Sequence, residues 1–221
     1  MVFTDEIADD AERAWQAIFD HPMVQGIGDG TLDEEPFRYW VRQDYVYLIE
    51  YGRVFALGAA SAPDLDRMGT FAVLLDETIN TEMDLHRSYA AEFGISEPEL
   101  EATEPSPTTH AYTDFLVRTA ATGTFGELVA ALLPCMWGFN ETGNRLAEDG
   151  LPDHDLYADW IELYSGEEFT ELARWCRELL DEVAADSTAT ERHRYRELFL
   201  TSARYEYLFW DAAWNQEQWP F

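Results

Sequence analysis

Apolar positions recur every three or four residues along almost the whole chain, which is the period of an amphipathic α-helix. The first stripe follows Thr4, a predicted N-cap, and stops near His21 and Pro22. Asp33 is predicted to cap a long helix that reaches about residue 60. Pro63 is predicted to open another, which ends at Gly94, a residue suited to a left-handed helix end.

The rest of the chain carries equally regular helix signals. Ser-x-x-Glu and Thr-x-x-Glu patterns predict helix starts at Ser96, Thr124 and Thr188, because the two side chains can bond each other's backbone amides. The glycine-rich segment 26–30 is predicted to be a turn; it lacks the strand and the lysine of a phosphate-binding loop. Without a convincing strand or repeat, the chain is predicted to be a single all-α helical bundle over residues 1–221.

The charge of the chain is strongly unbalanced. It has 44 Asp and Glu residues against 14 basic residues, all of them Arg, and a net charge of -30. Such a charge repels itself, and molar salt removes most of the repulsion by shortening the Debye length to about 3 Å. The composition therefore favours a cytoplasmic protein of a salt-accumulating halophile, with an ordinary acidic protein as the alternative. Nucleic acid is not expected as a partner, because the sequence offers no basic patch.

Targeting and membrane signals are absent from the sequence. The start of the chain lacks the basic region and apolar core of a secretory signal. No apolar run reaches the ~20 residues that a membrane span needs. We therefore expect a soluble, intracellular protein without a membrane partner. Its two cysteines, Cys135 and Cys176, do not make a disulfide framework.

An acidic residue occupies an aromatic face of the long helix that follows Asp33. Asp44, Tyr47 and Tyr51 are spaced three and four apart, so they share this face. A carboxylate among apolar neighbours needs a partner. A tyrosine hydroxyl or an arginine of the same helix is the ordinary partner, and a bound ligand is the functional alternative.

Two further residues are candidates for chemistry. Glu206 lies in an aromatic-rich run, where burial would raise its pKa toward a range useful for proton transfer; a surface position is the alternative. Cys135 follows Pro134 inside an apolar helical run, and the proline predicts a kink there. A lone helical cysteine is more often a small apolar residue than a nucleophile, so both readings stay open. Cys176 is interpreted as structural.

A metal site is not favoured by the sequence. Glu82 and His86 are four residues apart and could face one site, but helical dimetal centres use two Glu-x-x-His motifs. The other histidines are predicted in loops or exposed turns: His21, His110, His154 and His193. We therefore predict neither a metal nor another cofactor.

Four separated blocks, in order, resemble the TenA/thiaminase II family in its cysteine-containing branch, over nearly the whole chain. They are FRYWVRQDY (37–45), EPSPTTHAY (104–112), LLPCMWGF (132–139) and SARYEYLFWD (202–211). The resemblance implies a haem-oxygenase-like helical bundle that binds no haem and assembles as a homotetramer. It also implies an aminopyrimidine aminohydrolase of thiamine salvage, which converts 4-amino-5-aminomethyl-2-methylpyrimidine to the 5-hydroxymethyl compound and ammonia. Many such enzymes also hydrolyse thiamine to the pyrimidine and the thiazole.

The resemblance implies a role for each matching residue. Cys135 would add to the pyrimidine ring as a nucleophile, and Glu206 would transfer protons at the leaving group and the attacking water. Asp44 would bind the 4-amino group and a ring nitrogen, and Tyr112 the other ring nitrogen. Aromatic walls for the flat ring would come from Tyr47, Phe139 and Tyr164.

One position departs from the family pattern, and two other functions stay open. The family often has Tyr where this chain has Phe139, so a hydrogen bond in the pocket would be lost. A metal-dependent oxidase on the same fold would use Glu82 and His86. A non-catalytic pyrimidine-binding or regulatory protein would bind the ligand without releasing ammonia. The apolar C-terminal segment 216–221 is expected either to dock on a partner subunit or to be disordered.

Overall fold

The computed structural model describes residues 2–221, and in that range the chain forms α-helices and one π-helical segment, with no β-strand. The prediction of an all-α fold is thereby confirmed. No helix among these residues is both long and apolar enough to cross a membrane. The helices are α1 (Phe3–Phe19), α2 (Pro22–Asp29), α3 (Glu34–Ser61), α4 (Leu65–Asp76), the π-helical segment (Glu77–Glu82), α5 (Met83–Glu92), α6 (Glu97–Glu101), α7 (Pro107–Thr122), α8 (Phe125–Glu148), α9 (Asp155–Ser165), α10 (Glu167–Ala185) and α11 (Ala189–Asn215).

The helices fall into two compact units. The first unit comprises the described chain up to Asp33 together with Val129–Asp211, and so holds α1, α2, α9, α10 and most of α8 and α11. The second unit comprises Glu34–Leu128 and Ala212–Phe221, and so holds the elements from α3 to α7 and the C-terminal segment.

The helix starts predicted from the capping boxes are confirmed. At Ser96, Thr124 and Thr188 the backbone amide donates to the carboxylate of the Glu three residues later, at 2.9, 2.7 and 2.7 Å. These bonds satisfy amides that the first turn of a helix leaves without an intrahelical acceptor. They open α6, α8 and α11.

The predicted turn over residues 26–30 is wrong, because these residues complete the helix α2. His21 is its N-cap: the ring Nδ1 accepts a hydrogen bond from the amide of Met23 at 3.2 Å. Gly30 ends the helix in the left-handed conformation, with φ of 70°. Gly28 serves packing rather than turning, since an added Cβ would lie 2.7 Å from a methyl carbon of Leu146.

The start of α1 also differs from the prediction. Val2, not Thr4, is the N-cap residue, and Thr4 lies inside the helix. Its amide and hydroxyl donate to the two carboxylate oxygens of Asp181 on α10, at 2.7 and 2.9 Å. Thr4 therefore joins α1 to α10 instead of capping its own helix.

The helix predicted from Pro63 to Gly94 contains an irregular stretch. Asp64 caps α4 by accepting from the amide of Arg67, and Gly94 follows α5 with φ of 69°. Between α4 and α5 lies the π-helical segment Glu77–Glu82, where the amide of Met83 donates to the carbonyl of Thr78, five residues earlier. Segments of this kind are rare and occur frequently at functional sites.

Helix α3 is the centre of the second unit and packs against α4, α5 and α7. Its contact with α4 is close at Gly58, where an added Cβ would lie 2.4 Å from the ring of Phe71. Gln43 connects α3 to the start of α7: its side chain donates to the carbonyl of Glu104 at 3.1 Å and accepts from the amide of Ser106 at 2.8 Å. These bonds fix where α7 begins.

The C-terminal segment docks on its own chain, within the second unit. The Glu217 carboxylate accepts from the amide of Thr108, in the first turn of α7, at 2.9 Å. The Glu217 carbonyl accepts from the hydroxyl of Tyr39 at 2.6 Å, and the indole of Trp219 donates to the carbonyl of Pro105 at 3.0 Å. The two expected alternatives, docking on a partner subunit and disorder, do not include these contacts within the chain.

Candidate active site

Asp44 is paired with a histidine, not with the tyrosine or arginine expected from its own helix. Its Oδ2 lies 2.6 Å from Nε2 of His86 on α5. Both side chains are buried: His86 is 0% exposed and Asp44 3%. The two residues are 42 positions apart, so no helical periodicity could reveal the pair.

His86 is held at both ring nitrogens. Its Nδ1 lies 2.9 Å from the backbone carbonyl of Glu82, the last residue of the π-helical segment. Burial by itself lowers the pKa of His86, but the hydrogen bond and charge of Asp44, together with Glu82, outweigh it and leave the pKa above its ordinary value. Asp44 and Glu82 therefore make His86 hold its proton more strongly than an isolated imidazole does.

The structure brings together two of the predicted aromatic residues in the second unit. The ring centroids of Tyr47 and Tyr112 lie 5.3 Å apart. Tyr51 stacks on Tyr47, with their ring centroids also 5.3 Å apart. All three rings are buried. Tyr47 lies one turn after Asp44 on α3, so this unit presents a buried carboxylate next to an aromatic surface.

The two cysteines, which form no disulfide, differ in environment. Cys176 on α10 is buried, and burial raises the pKa of its thiol to about 12, which keeps it protonated and unreactive. Cys135 on α8 is partly exposed and directly follows Pro134, which lies inside that helix. Cys176, interpreted as structural, is thus buried, whereas Cys135, the predicted nucleophile, is partly exposed.

Phe139 is the centre of an aromatic cluster in the first unit. Its ring lies 4.9 Å from Tyr164 on α9 and 5.4 Å from Trp210 on α11. Cys135 precedes Phe139 by one turn of α8, and Glu206 precedes Trp210 by one turn of α11. The contact between Phe139 and Trp210 therefore joins the helix faces that carry the cysteine and the glutamate.

Glu206 is buried and only 3% exposed, so the alternative of a surface glutamate is wrong. Phe139 is 6% exposed and surrounded by rings. The hydroxyl that it lacks relative to the family pattern would therefore stand in a largely aromatic environment.

Two residues that the sequence did not single out hold Tyr164 in place. The side-chain amide of Asn140 donates to the backbone carbonyl of Tyr164 at 2.9 Å and to the hydroxyl of Thr170 at 2.8 Å. Gly143, one turn of α8 further on, lies against the backbone of Tyr164. The sequence gives the helical spacing of Phe139, Asn140 and Gly143, but it does not show that they contact α9.

The possible metal ligands of the described residues do not form a metal-binding cluster. Within residues 2–221, His, Cys, Asp and Glu form no group of three or more that could hold a metal ion. Nε2 of His86, a ligand in the metal hypothesis, is bonded to Asp44. Of the histidines expected in loops or exposed turns, His21 is buried as the α2 N-cap, and His110 and His193 are exposed on helices.

Comparison with known proteins establishes the family. The sequence model of the TENA/THI-4/PQQC family matches residues 8–216, so the chain belongs to this family. The aminopyrimidine aminohydrolase of Halalkalibacterium halodurans is 46% identical over 222 residues, which cover 100% of this chain and 99% of that protein. The enzyme of the same name from Bacillus subtilis is 41% identical and covers 99% and 92%.

Solved structures agree with the fold. A TenA homologue from P. horikoshii superposes with a TM-score of 0.89 at 29% identity, covering 97% of this chain and 99% of that one. A protein from Shewanella denitrificans with a heme oxygenase-like fold has a TM-score of 0.74 at 14% identity, and covers 96% and 92%. The prediction of a haem-oxygenase-like fold and of the TenA family is confirmed.

Proposed function

We propose that this protein is an aminopyrimidine aminohydrolase of thiamine salvage. It hydrolyses 4-amino-5-aminomethyl-2-methylpyrimidine to the 5-hydroxymethyl pyrimidine and ammonia. The observation that carries the proposal is the 46% identity, over the whole chain, to an enzyme of that name. The buried carboxylate and the aromatic surfaces support it, because they suit a flat ring with a polar edge, and the partly exposed thiol supplies the nucleophile that the reaction needs.

The reaction proceeds by covalent catalysis through Cys135. Its thiolate adds to the ring carbon adjacent to the one that bears the aminomethyl group, forming a C–S bond. The electron pair released into the ring then expels the amine, which takes a proton from Glu206 and leaves as ammonia. Water adds to the resulting exocyclic methylene, its proton passes to Glu206, and loss of the thiolate restores the aromatic ring. Cys135 and Glu206 end as they began.

The remaining residues bind and orient the ring. Asp44 binds the 4-amino group and a ring nitrogen, and Tyr112 hydrogen-bonds the other ring nitrogen, which gains negative charge as the thiolate adds. The flat faces of the ring contact Tyr47, Phe139 and Tyr164, which are all buried aromatic side chains. No cofactor enters any step.

Thiamine is the second proposed substrate. Its pyrimidine half is the same, and the thiazole leaves from the same methylene carbon, so the steps at Cys135 do not change. We also propose a homotetramer in the cytoplasm of a salt-accumulating cell, with a small-molecule pyrimidine and no nucleic acid as its ligand. The net charge of -30 supports the salt and nucleic-acid parts of this proposal.

Ammonia release from the aminomethylpyrimidine by the pure protein in molar salt tests the proposal, with thiamine in a parallel reaction. Cys135→Ser should abolish release while its helical circular dichroism stays unchanged. Cys176→Ala is the matched control: it removes the other thiol and should leave turnover intact. Folded wild-type protein that releases no ammonia would contradict the proposal, and binding of the pyrimidine without turnover would favour the non-catalytic alternative.

A further inference from the structure

We propose that His86 is a positioning residue of the pyrimidine site, which fixes the orientation and the charge of Asp44. The inference rests on the proposed function, since Asp44 is the residue that binds the amino edge of the ring. It assigns a role to a buried histidine that the chemistry of Cys135 and Glu206 leaves unused.

Contacts at both ring nitrogens and with two neighbouring rings fix the orientation of the His86 imidazole. Nε2 contacts Oδ2 of Asp44 at 2.6 Å, and Nδ1 contacts the Glu82 carbonyl at 2.9 Å. The Trp40 ring, 5.4 Å away, and the Tyr89 ring, 6.2 Å away, pack beside it. A side chain held at both nitrogens and 0% exposed is a rigid support for the carboxylate.

The hydrogen-bond partners determine how many protons Asp44 and His86 hold together. A backbone carbonyl only accepts, so Nδ1 carries a hydrogen. The contact between Nε2 and Oδ2 requires one further proton, so Asp44 and His86 together bear no net charge. A buried carboxylate is thus balanced by its neighbour, which avoids the large cost of an isolated buried charge.

This arrangement decides which Asp44 oxygen meets the substrate. Oδ2 is committed to His86, so the plane of the carboxylate cannot rotate freely. Oδ1 then offers its lone pairs in a fixed direction to the donor of an exocyclic amine. Without His86, Asp44 would gain rotational freedom and bear an unbalanced charge, and both changes weaken recognition of the 4-amino group.

Two substitutions separate positioning from folding. His86→Leu removes both ring nitrogens; His86→Gln keeps an amide donor that reaches Asp44 but cannot titrate. We expect the KM for the aminomethylpyrimidine to rise roughly tenfold or more in His86→Leu, with a smaller change in kcat, because a hydrogen bond to a charged group is lost. His86→Gln should recover most of the loss. The wild-type KM should rise as His86 loses its proton, and this part of the pH dependence should be absent from His86→Gln.

Binding of 4-amino-2-methylpyrimidine, which has no leaving group, isolates the recognition step. His86→Leu should weaken this ligand more than 2-methylpyrimidine, which keeps the ring nitrogens but lacks the amino group. In the Asp44→Asn background, His86→Leu should cause no further loss, since His86 acts through Asp44. Circular dichroism and thermal unfolding of each variant show whether it is folded.

The outcomes distinguish the inference from the function on which it rests. If wild type neither binds nor hydrolyses aminopyrimidines, the proposed function fails and the inference fails with it. If wild type is active but folded His86→Leu matches it, or loses the same affinity in the Asp44→Asn background as in wild type, only the inference fails. If His86→Leu does not fold, His86→Gln decides: a wild-type pH dependence of KM in that variant overturns the inference.

Discussion

Gly143 of α8 lies directly against the backbone of Tyr164 on α9. A Cβ added at position 143 would be 2.8 Å from the carbonyl carbon of Tyr164 and 2.9 Å from the nitrogen of Ser165. Asn140, on the same helix, donates to the Tyr164 carbonyl. The glycine therefore allows the close approach that places Tyr164 4.9 Å from Phe139.

Gly143→Ala should displace Tyr164, because backbone atoms cannot yield as a flexible side chain can. We expect unfolding free energy to fall by about 1–3 kcal/mol, the usual cost of overpacking, and KM for the pyrimidine to rise. Gly138→Ala is the matched control on the same helix, since nothing lies within 4 Å of its added Cβ. There the gain in helix propensity should raise stability by up to about 1 kcal/mol. Equal effects of the two substitutions on Tm and KM would refute the interpretation.

The stability contributed by His86 should decrease as pH rises. Its pKa is higher in the folded protein than in the unfolded chain, where it is about 6.5, so the folded state binds the proton more tightly. The contribution is complete below the unfolded pKa and is lost as pH rises through the folded pKa. Asp44 and Glu82 are the charged groups that face the ring, and Tyr89 is the nearby titratable one.

The difference in unfolding free energy between wild type and His86→Gln measures this dependence. It should be largest near about pH 6 and shrink toward about pH 9, with the background charge cancelling in the comparison. Chemical denaturation at constant salt gives both values. A difference that stays constant or grows across this range would show that His86 is not charged in the folded protein.

His21 should show the opposite dependence. Burial lowers its pKa, and the hydrogen bond and charge of Asp211 offset this only in part. Its Nδ1 must also be unprotonated to accept from Met23 as the α2 N-cap. The stability it contributes is present above its unfolded pKa of about 6.5 and is lost as pH falls through the lower folded value.

His21→Asn keeps an N-cap acceptor but removes the titration. The variant should lose less stability than wild type between about pH 7 and about pH 5, because Asn need not shed a proton to cap α2. Thermal unfolding across that range provides the measurement. A variant as acid-sensitive as wild type would indicate that carboxylates, and not His21, set the response.

Removal of residues 216–221 should loosen the start of α7. The deletion takes away the acceptors of the Thr108 amide and the Tyr39 hydroxyl. We expect a loss of about 1–2 kcal/mol, as for a helix cap, and faster hydrogen exchange at Thr108. Amides at the Thr124 capping box, which contact no residue of the segment through the bonds described, serve as the internal reference. Unchanged exchange at Thr108 would show that the segment contributes nothing to α7.

Salt should stabilise the protein strongly. The net charge of -30 repels itself, and raising the ionic strength from about 0.01 M to about 1 M shortens the Debye length from about 30 Å to about 3 Å. Tm should therefore rise steeply in KCl. An uncharged osmolyte at equal osmolality separates screening from surface exclusion. A Tm that does not increase with KCl would remove the support for a salt-accumulating source.

Much of the fold could be predicted because helix ends are local. The Ser-x-x-Glu and Thr-x-x-Glu boxes at Ser96, Thr124 and Thr188 open helices as predicted. Segment 26–30 was wrongly predicted because its glycines suggested a turn, whereas Gly28 is there for the approach of Leu146. A residue on a helix distant in sequence, α8, determined that choice, and no window of local sequence contains it.

The candidate site was predictable in part, because local sequence patterns show which residues share a helix face but not which helices pack together. Periodicity placed Asp44 and Tyr47 on one face, and block resemblance singled out Cys135 and Glu206, which the structure places on α8 and α11 of the first unit. The sequence does not reveal the partner of Asp44, because His86 is 42 residues away and its spacing from Glu82 indicates only a possible metal ligand. Pairings between helices depend on packing, which a single sequence does not display.

The π-helical segment aligns buried residues of α4 and α5. Leu74 and His86 are both buried and twelve residues apart. Uninterrupted α-helical winding, at about 100° per residue, would put them about 120° apart around the axis, whereas absorbing one extra residue brings them within about 20°. The meeting of His86 with Asp44 is thus set by the number of residues between positions 76 and 83 as much as by their identity. Losing any one of them would turn the imidazole away while leaving every chemical group of the pair in the chain.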